Sequence, residues 1–281
     1  MNLLHIIKEI ENVDKEVYER LDSRRGALRQ FRSFTSKTAL ASLPFAFGSI
    51  LKKAYAQSPN TAAVEAVLQF ALTLEYLEAE FYSLAIASPG LIPAGASLTA
   101  LTLIRDQENQ HVAFLKTAIE SFGKAAVDKP DFDFSGGKGI STGPFSDVFT
   151  NYDTFLALAQ AFEDTGVRAY KGQVSALVGK GSVLTDVLNI HSVEARHASH
   201  IRQMRQLRGA AVKPWITGKE SGIQAALQLS YEGEESVAQS GIVITDINDL
   251  QISAEAASES FDEPLTGEQV LDILDPFIVT G

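Results

Sequence analysis

The sequence predicts an all-α protein, built as a four-helix bundle with one long crossover connection and a carboxy-terminal extension that packs on the bundle. First, four stretches of roughly 25 residues each repeat apolar side chains with the period of an α-helix. Second, two of the three connections between them are short, whereas the middle one is long enough to cross a bundle. Third, every stretch has a glutamate among its core-facing positions, and two stretches add a histidine three residues later.

The chain before the first helical stretch, residues 1–56, has the composition of a leader. It holds 10 Lys and Arg against 6 Asp and Glu, whereas the rest of the chain holds 14 against 29. A basic stretch from Ser23 to Arg29 precedes the apolar run Thr38–Leu51, which is shorter than the stretch of about 20 residues that spans a membrane. The small-x-small site Ala54-Tyr55-Ala56 follows. This order is typical of a secretory signal.

The paired arginines Arg24 and Arg25 resemble the twin-arginine signal of bacteria, with Ala27 and Arg29 where that signal has Phe and Lys. The resemblance implies export to the periplasm or the cell surface and a mature chain that begins near Gln57. The alternatives are an amphipathic helix packed on the domain and an uncleaved anchor on a membrane surface.

The four long stretches form the predicted bundle domain, residues 57–208. Stop signals follow them, with Ser88-Pro89-Gly90 after the first stretch and a glycine after each of the others. Ser97 is the expected N-cap of the second helix, and Asp153 lies near the start of the third. The predicted helices are Thr61–Ala87, Ser97–Phe122, Tyr152–Val178 and Ser182–Leu207.

Two segments without long helices connect and follow the bundle. The crossover from Gly123 to Asn151 is rich in Gly, Ser, Asp and Phe. The short connections on either side of it make the first and second helices, and the third and fourth, antiparallel neighbours. The extension, residues 209–281, contains GIVITDI as a candidate short strand and a last helix from Gly267 to Leu274, for which Thr266 and Gln269 form a capping box.

The glutamates and histidines of the bundle follow one plan in both helical hairpins. The second predicted helix carries Glu108-Asn-Gln-His111, and the fourth carries Glu194-Ala-Arg-His197. Residues three apart on a helix project to the same side, so each pair offers a carboxylate oxygen and an imidazole nitrogen to one point. The first and third helices contribute Glu75 and Glu163, each followed seven residues later by a tyrosine.

Burial of the glutamates restricts the roles that these side chains can have. An ionised carboxylate in a core costs several kcal/mol unless it is protonated, paired with a base or bound to a cation. The four glutamates carry −4 and two divalent cations carry +4, so a pair of ions balances the formal charge. A lone Glu-x-x-His is more often a core histidine hydrogen-bonded to a carboxylate, but the order Glu, Glu-x-x-His, Glu, Glu-x-x-His, with one unit on each helix, favours metal. Oxygen and imidazole donors suit Fe or Mn, and they can also take Zn.

This pattern resembles the ferritin-like superfamily of di-iron and di-manganese carboxylate proteins over about residues 60–208. The stretch LEYLEAEFY, Leu74 to Tyr82, looks like the first ferritin-type helix. With the leader and the extension, the chain resembles exported ferritin-like domain proteins of bacteria and fungi, which are related to plant desiccation-associated proteins. The resemblance implies six metal ligands, of which Glu108 and Glu194 bridge two ions: Glu75, Glu108, His111, Glu163, Glu194 and His197.

Glu78 lies one turn after Glu75 on the same face, and the sequence leaves three interpretations of it open. It is an extra ligand, a base in the outer layer of the site or the partner of an arginine. The tyrosines Tyr82 and Tyr170 either hydrogen-bond the ligand carboxylates or pack in the core.

Two further histidines lie close to His197. His191 precedes Glu194 by three residues, and we expect it in the outer layer, since Arg105 at the equivalent position of the second helix is no ligand. His200 lies about 240° around the helix from Glu194 and is expected to face solvent.

The implied function is the binding of two Fe or Mn ions that react with dioxygen or peroxide. The alternative is a non-catalytic exported protein of stress or desiccation, in which the metal is structural. A net charge of −11 disfavours nucleic acid and anionic membranes as partners, and we expect no integral membrane span. The lack of cysteine excludes disulfides and thiolate metal sites. A homo-oligomer remains open.

Overall fold

A computed structural model describes residues 61–220, 222–223, 225–249 and 251–279 of the chain. The predicted leader, with its paired arginines and cleavage site, lies outside these residues, so export stays a prediction. The four predicted helices are present as α1 Thr61–Ala87, α2 Ala96–Ser121, α3 Tyr152–Leu177 and α4 Ser182–Leu207. Each helix end lies within one residue of its predicted position. Among the described helices, none combines the length and the apolar character that a membrane crossing requires.

The helices α2 and α3 begin in different ways. α3 follows Asn151, whose side chain accepts a hydrogen bond of 3.1 Å from the backbone amide of Asp153. The predicted N-cap of α2, Ser97, is wrong. That helix already begins at Ala96, after Gly95 with a φ of +99° and no side-chain cap. Glycine tolerates this left-handed backbone, which turns the chain into the helix one residue before the expected cap.

The helices pack in pairs, α1 with α2 and α3 with α4, around two apolar clusters. One cluster is aromatic, and in it the ring centroid of Phe81 lies 5.0 Å from that of Phe155 and 5.1 Å from that of Phe162. The other is mainly aliphatic and includes Leu68 and Leu115. On α1, α2 and α4 the conspicuous glutamates and histidines lie where the helix passes from one cluster to the other, and on α3 Glu163 follows Phe162 of the aromatic cluster. A polar layer is therefore enclosed by apolar side chains on both sides.

The crossover between α2 and α3 is ordered around Asp133. The buried carboxylate of Asp133 accepts hydrogen bonds from the backbone amides of Ser135 (3.0 Å), Gly139 (2.8 Å) and Ser141 (3.0 Å). Its own amide donates to the carbonyl of Phe277 at 2.8 Å. The crossover thus packs against the carboxy-terminal end of the described chain.

The extension consists of short elements. Its α-helices are α5 Ala254–Ser258 and α6 Gly267–Leu274, its 3-10 helices are Ala225–Tyr231, Ile244–Asp249 and Asp275–Phe277, and its strands are β1 Ala238–Gln239 and β2 Ile242–Val243. The predicted capping box of α6 is confirmed, because Thr266 and Gln269 each accept the other's backbone amide through their side chains.

The predicted strand in GIVITDI forms only in part. Ile242 and Val243 pair with β1 in an antiparallel hairpin, and the chain then enters the 3-10 helix that begins at Ile244. Both strand residues are exposed. An isolated two-stranded pair without a buried face is only marginally stable, which accounts for the short length of this strand.

Buried polar contacts attach the extension to α3. The guanidinium of Arg168 donates to the carbonyl of Glu263 at 2.8 Å and pairs with the carboxylate of Glu234 at 2.7 Å. The hydroxyl of Tyr231 donates to Asp164 of the same helix at 2.6 Å. The side chains of Arg168, Glu234, Tyr231 and Asp164 are buried, so these contacts satisfy polar atoms that water hardly reaches.

Candidate metal centre

All four helices of the bundle contribute to the polar layer. The six side chains that the sequence singles out are all buried; the four glutamates are 0% exposed, His111 is 8% exposed and His197 is 4% exposed. α1 and α3 each supply one of the glutamates, and α2 and α4 each supply a Glu-x-x-His pair. The spacing of three residues turns the members of each pair to the same side of their helix.

One half of the layer surrounds the imidazole of His111. Its Nδ1 lies 3.1 Å from Glu75 Oε2, 3.1 Å from Glu108 Oε2 and 3.1 Å from Glu194 Oε1. One nitrogen and three oxygens from α1, α2 and α4 therefore converge, all within 4.8 Å of one another.

The other half surrounds the imidazole of His197. Its Nδ1 lies 2.7 Å from Glu108 Oε1, 3.5 Å from Glu163 Oε2 and 3.9 Å from Glu194 Oε2. These four donors also lie within 4.8 Å of one another. α3 here takes the place that α1 has in the first half.

The carboxylates of Glu108 and Glu194 belong to both halves. Each turns one oxygen towards His111 and the other towards His197. The two imidazole rings are 6.3 Å apart between centroids. This is the arrangement that two carboxylates bridging a pair of neighbouring cations would have, and it fits the bridging roles that the family resemblance implies.

The polar layer contains buried atoms without hydrogen-bond partners, as expected of a site that binds cations. Five of its buried atoms lack a hydrogen-bond partner among the described residues: Glu108 Oε1, Glu163 Oε2, both oxygens of Glu194 and His197 Nδ1. An unsatisfied buried polar atom destabilises a protein by about 1–3 kcal/mol, and by more when it is charged. Carboxylate oxygens and imidazole nitrogens are metal ligands for Fe, Mn and Zn, so a bound ion would satisfy these atoms.

The pKa values of the layer show how strongly its charges interact. Burial raises the pKa of Glu75 to about 7, and burial with repulsion from Glu108 raises the pKa of Glu194 well above its ordinary value. Burial alone would raise the pKa of Glu108 as well, but a hydrogen bond with His111 and the positive charge of the two neighbouring histidines in their protonated form lower it to about 2. Burial alone would lower the pKa of His197, but the carboxylates of Glu163 and Glu108 raise it to about 11. The layer thus attracts positive charge, whether from protons or from cations.

Two tyrosines brace the glutamates of the opposite hairpin. The hydroxyl of Tyr82 on α1 donates to Glu163 Oε1 on α3 at 2.5 Å, and the hydroxyl of Tyr170 on α3 donates to Glu75 Oε1 on α1. Each glutamate keeps Oε2 directed towards a histidine. Both tyrosines are also buried in the apolar clusters, so they pack and hydrogen-bond at once.

Gln107 is a residue of the site that the sequence analysis missed. Its Oε1 lies 2.7 Å from Nε2 of His197. An amide oxygen only accepts, so Nε2 carries the proton and the lone pair of a neutral His197 lies on Nδ1, towards the carboxylates. The contact joins α2 to α4 across 90 residues of sequence. Its one signal in the sequence is the position next to Glu108.

The neighbouring residues are placed as follows. Glu78 is 2% exposed and faces the layer, with Oε2 lacking a hydrogen-bond partner among the described residues. His200 is exposed, as predicted. His191 is partly buried, accompanied by the backbone of Val167 and by Asp262, so it faces α3 and the extension.

The comparisons with known proteins agree with this architecture. Residues 64–207, just over half of the chain, match the family model described as the ferritin-like domain. The comparisons with curated proteins and with solved structures give no significant match. The matched segment runs from the first turn of α1 to the end of α4 and includes the whole polar layer. The chain therefore belongs to the ferritin-like domain family.

Proposed function

We propose that the chain binds two Fe or Mn ions in the polar layer and reacts through them with dioxygen or peroxide. The observation that carries the proposal is the pair of donor groups that share Glu108 and Glu194. A pair of redox-active ions, when bound, supplies two electrons to a small oxidant. Zn would fit the same donors but has no redox chemistry.

The side chains of the layer have distinct parts in this function. Tyr82 and Tyr170 hold Glu163 and Glu75 through one oxygen each, which fixes the direction of the other. Gln107 keeps the proton of the neighbouring imidazole away from the carboxylates. The near-complete burial of the layer keeps bulk water out and favours reactants of a few atoms.

The same burial favours a second function, in which the ions are structural. Donors from four helices meet in one layer, so bound ions would cross-link α1, α2, α3 and α4. In that case the chain is a non-catalytic protein whose bundle is stabilised by its metal. A role in stress or desiccation would fit either function.

Metal analysis followed by reaction with oxygen distinguishes the two. The metal-depleted full chain is loaded with Fe(II) without air, its iron content is measured, and a pulse of dissolved oxygen is added while absorbance is followed. We expect two ions per chain, oxidised within the pulse. Ions that bind but stay reduced would favour the structural role. Failure to bind Fe(II), Mn(II) or Zn(II) would contradict both. His200→Ala, in an exposed position, serves as the control and should behave as the wild type.

A further inference from the structure

The two halves of the centre differ at one pair of equivalent positions. α1 and α3 place Glu75 and Glu163 at corresponding points, and each is followed seven residues later by the bracing tyrosine. Three residues after the glutamate, however, α1 has Glu78, whereas α3 has Gly166. The hairpin plan is therefore broken by an added carboxylate on one helix and a missing side chain on the other.

The missing side chain leaves space for the added one. A Cβ built on Gly166 would lie 3.1 Å from Glu78 Oε1 and 3.6 Å from Glu194 Oε2. A contact of 3.1 Å is tighter than nine in ten Cβ contacts in proteins, so a side chain at Gly166 would require Glu78 to shift. Glu194 Oε2 is the oxygen that faces His197, which places Glu78 beside the half that contains Glu163 and His197.

The carboxylate of Glu78 is buried, and its Oε2 lacks a hydrogen-bond partner among the described residues. A cavity of about 10 Å³ lies against it, lined also by Thr165, Gly166 and four apolar side chains. The hydroxyl of Thr165 likewise lacks a hydrogen-bond partner among the described residues. A volume of this size is about that of one water-sized sphere, so at most about one water molecule fits beside the carboxylate. A buried carboxylate in such surroundings needs a cation or a proton.

We propose that Glu78 is a further metal-binding side chain, which coordinates the ion of the Glu163–His197 half and makes the two halves unequal. The inference rests on the proposed function, because it requires ions in the centre. With Glu78 the second half offers four carboxylates and one imidazole, whereas the first offers three carboxylates and one imidazole. The added negative charge and oxygen donor raise the affinity of that half and favour a harder, more highly charged ion.

A titration of the metal-depleted full chain with Co(II), followed by calorimetry and visible absorption, tests the inference. The wild type should bind two ions in steps of unequal affinity. Glu78→Gln keeps the shape but loses the charge, and should weaken the tighter step by about tenfold or more and change its absorption. Glu78→Asp should fall between the two. Glu80→Gln is the matched control, since it removes the same charge from a partly exposed position of α1 that pairs with Lys129, and both steps should stay unchanged.

Further variants assign the step to one half of the centre. Gly166→Ala displaces Glu78 without removing its charge, and should weaken the step that Glu78→Gln weakens. His197→Ala should weaken the same step. If folded Glu78→Gln binds two ions with the affinities of the wild type, the inference is overturned. If the step that Glu78→Gln weakens is instead the step that His111→Ala loses, the assignment to the Glu163–His197 half is wrong. A wild type that binds no Co(II), Fe(II) or Mn(II) would instead overturn the proposed function itself.

Discussion

At the scale of single residues, the centre is organised by how many oxygens of each glutamate face inward. Glu75 and Glu163 give one oxygen to a tyrosine and one to the centre. Glu108 and Glu194 give both oxygens to the centre, one to each histidine. In the proposed function, the loss of a shared carboxylate would therefore affect two ions, whereas the loss of any other donor would affect one.

This difference predicts a ranking of ligand variants by metal content. Glu108→Gln and Glu194→Gln should each leave fewer bound ions than His111→Ala, because each removes charge from both donor groups. His111→Ala should keep partial occupancy, and His200→Ala should keep the full content, because its side chain is exposed. Metal content per chain after loading with Mn(II) and gel filtration measures the ranking. A histidine variant that loses more metal than both glutamate variants would contradict the bridging roles.

At the scale of elements, α3 is the helix that joins the centre to the extension. It is buried almost continuously from Phe155 to Tyr170, because it faces α1 and α4 and also the extension. Around the end of that segment the backbone of Leu265 crosses α3 closely: the amide of Leu265 donates to the carbonyl of Arg168 at 3.1 Å, and its own carbonyl oxygen lies against Gly172. The helix accepts a glycine here, which disfavours helix formation, because a side chain would not fit.

We expect Gly172→Ala to destabilise the protein by about 1–3 kcal/mol, as overpacking in a close contact does. A Cβ at Gly172 would lie 1.9 Å from the carbonyl oxygen of Leu265, so the extension must shift away from α3. Gly267→Ala is the matched control. Its Cβ would make an ordinary contact of 3.8 Å with Phe70, and its stability should be equal to or above that of the wild type. Urea unfolding monitored by circular dichroism compares the two. Equal stability of Gly172→Ala and wild type would show that the extension moves without loss.

The elements also show which features the sequence could predict. Helix limits and the Glu-x-x-His pairs were predictable because period, glycine stops and three-residue spacing are local signals. The contact of Gln107 with His197 and the burial of Arg168 against Glu234 were not, because they join residues far apart in sequence and no short pattern marks them. The N-cap prediction at Ser97 failed for a different, local reason: Gly95 has a positive φ, and the helix begins at Ala96, one residue before Ser97. The role of Gly166 becomes visible only when equivalent positions of α1 and α3 are compared, because Gly166 on α3 corresponds to Glu78 on α1.

At the scale of the whole molecule, the centre concentrates charge in the middle of an apolar bundle. Five carboxylates and two imidazoles lie in one buried layer: Glu75, Glu78, Glu108, Glu163, Glu194, His111 and His197. Without metal, burial raises the pKa of Glu78 and of Glu163, as it does for Glu75 and Glu194. The carboxylates raise the pKa of both histidines. In the proposed function, protons and metal ions would therefore compete for the same layer.

This competition predicts opposite pH effects on the metal-free and metal-loaded protein. A group whose pKa is raised on folding stabilises the fold below its unfolded pKa and loses that effect as pH rises through its folded pKa. For Glu75 this window runs from 4.5 to about 7, and for His197 from 6.5 to about 11. Glu108 acts in the opposite sense, because its pKa is lowered to about 2 in the folded protein. Its contribution to stability is complete above its ordinary pKa of 4.5 and therefore stays constant at higher pH. The metal-free protein should thus lose stability as pH rises from 4.5 through neutrality.

In the loaded protein the ions replace the protons, and their binding to the native state alone adds stability that grows as the ligands deprotonate. The difference in Tm between loaded and metal-free protein should therefore widen from about pH 5 to about pH 8. Scanning calorimetry of both forms measures it. Taking the difference at each pH removes the effects of those ionisable groups outside the layer that titrate alike in both forms. A difference that is absent, or that narrows with rising pH after complete metal removal, would show that the ions do not bind through these carboxylates and imidazoles.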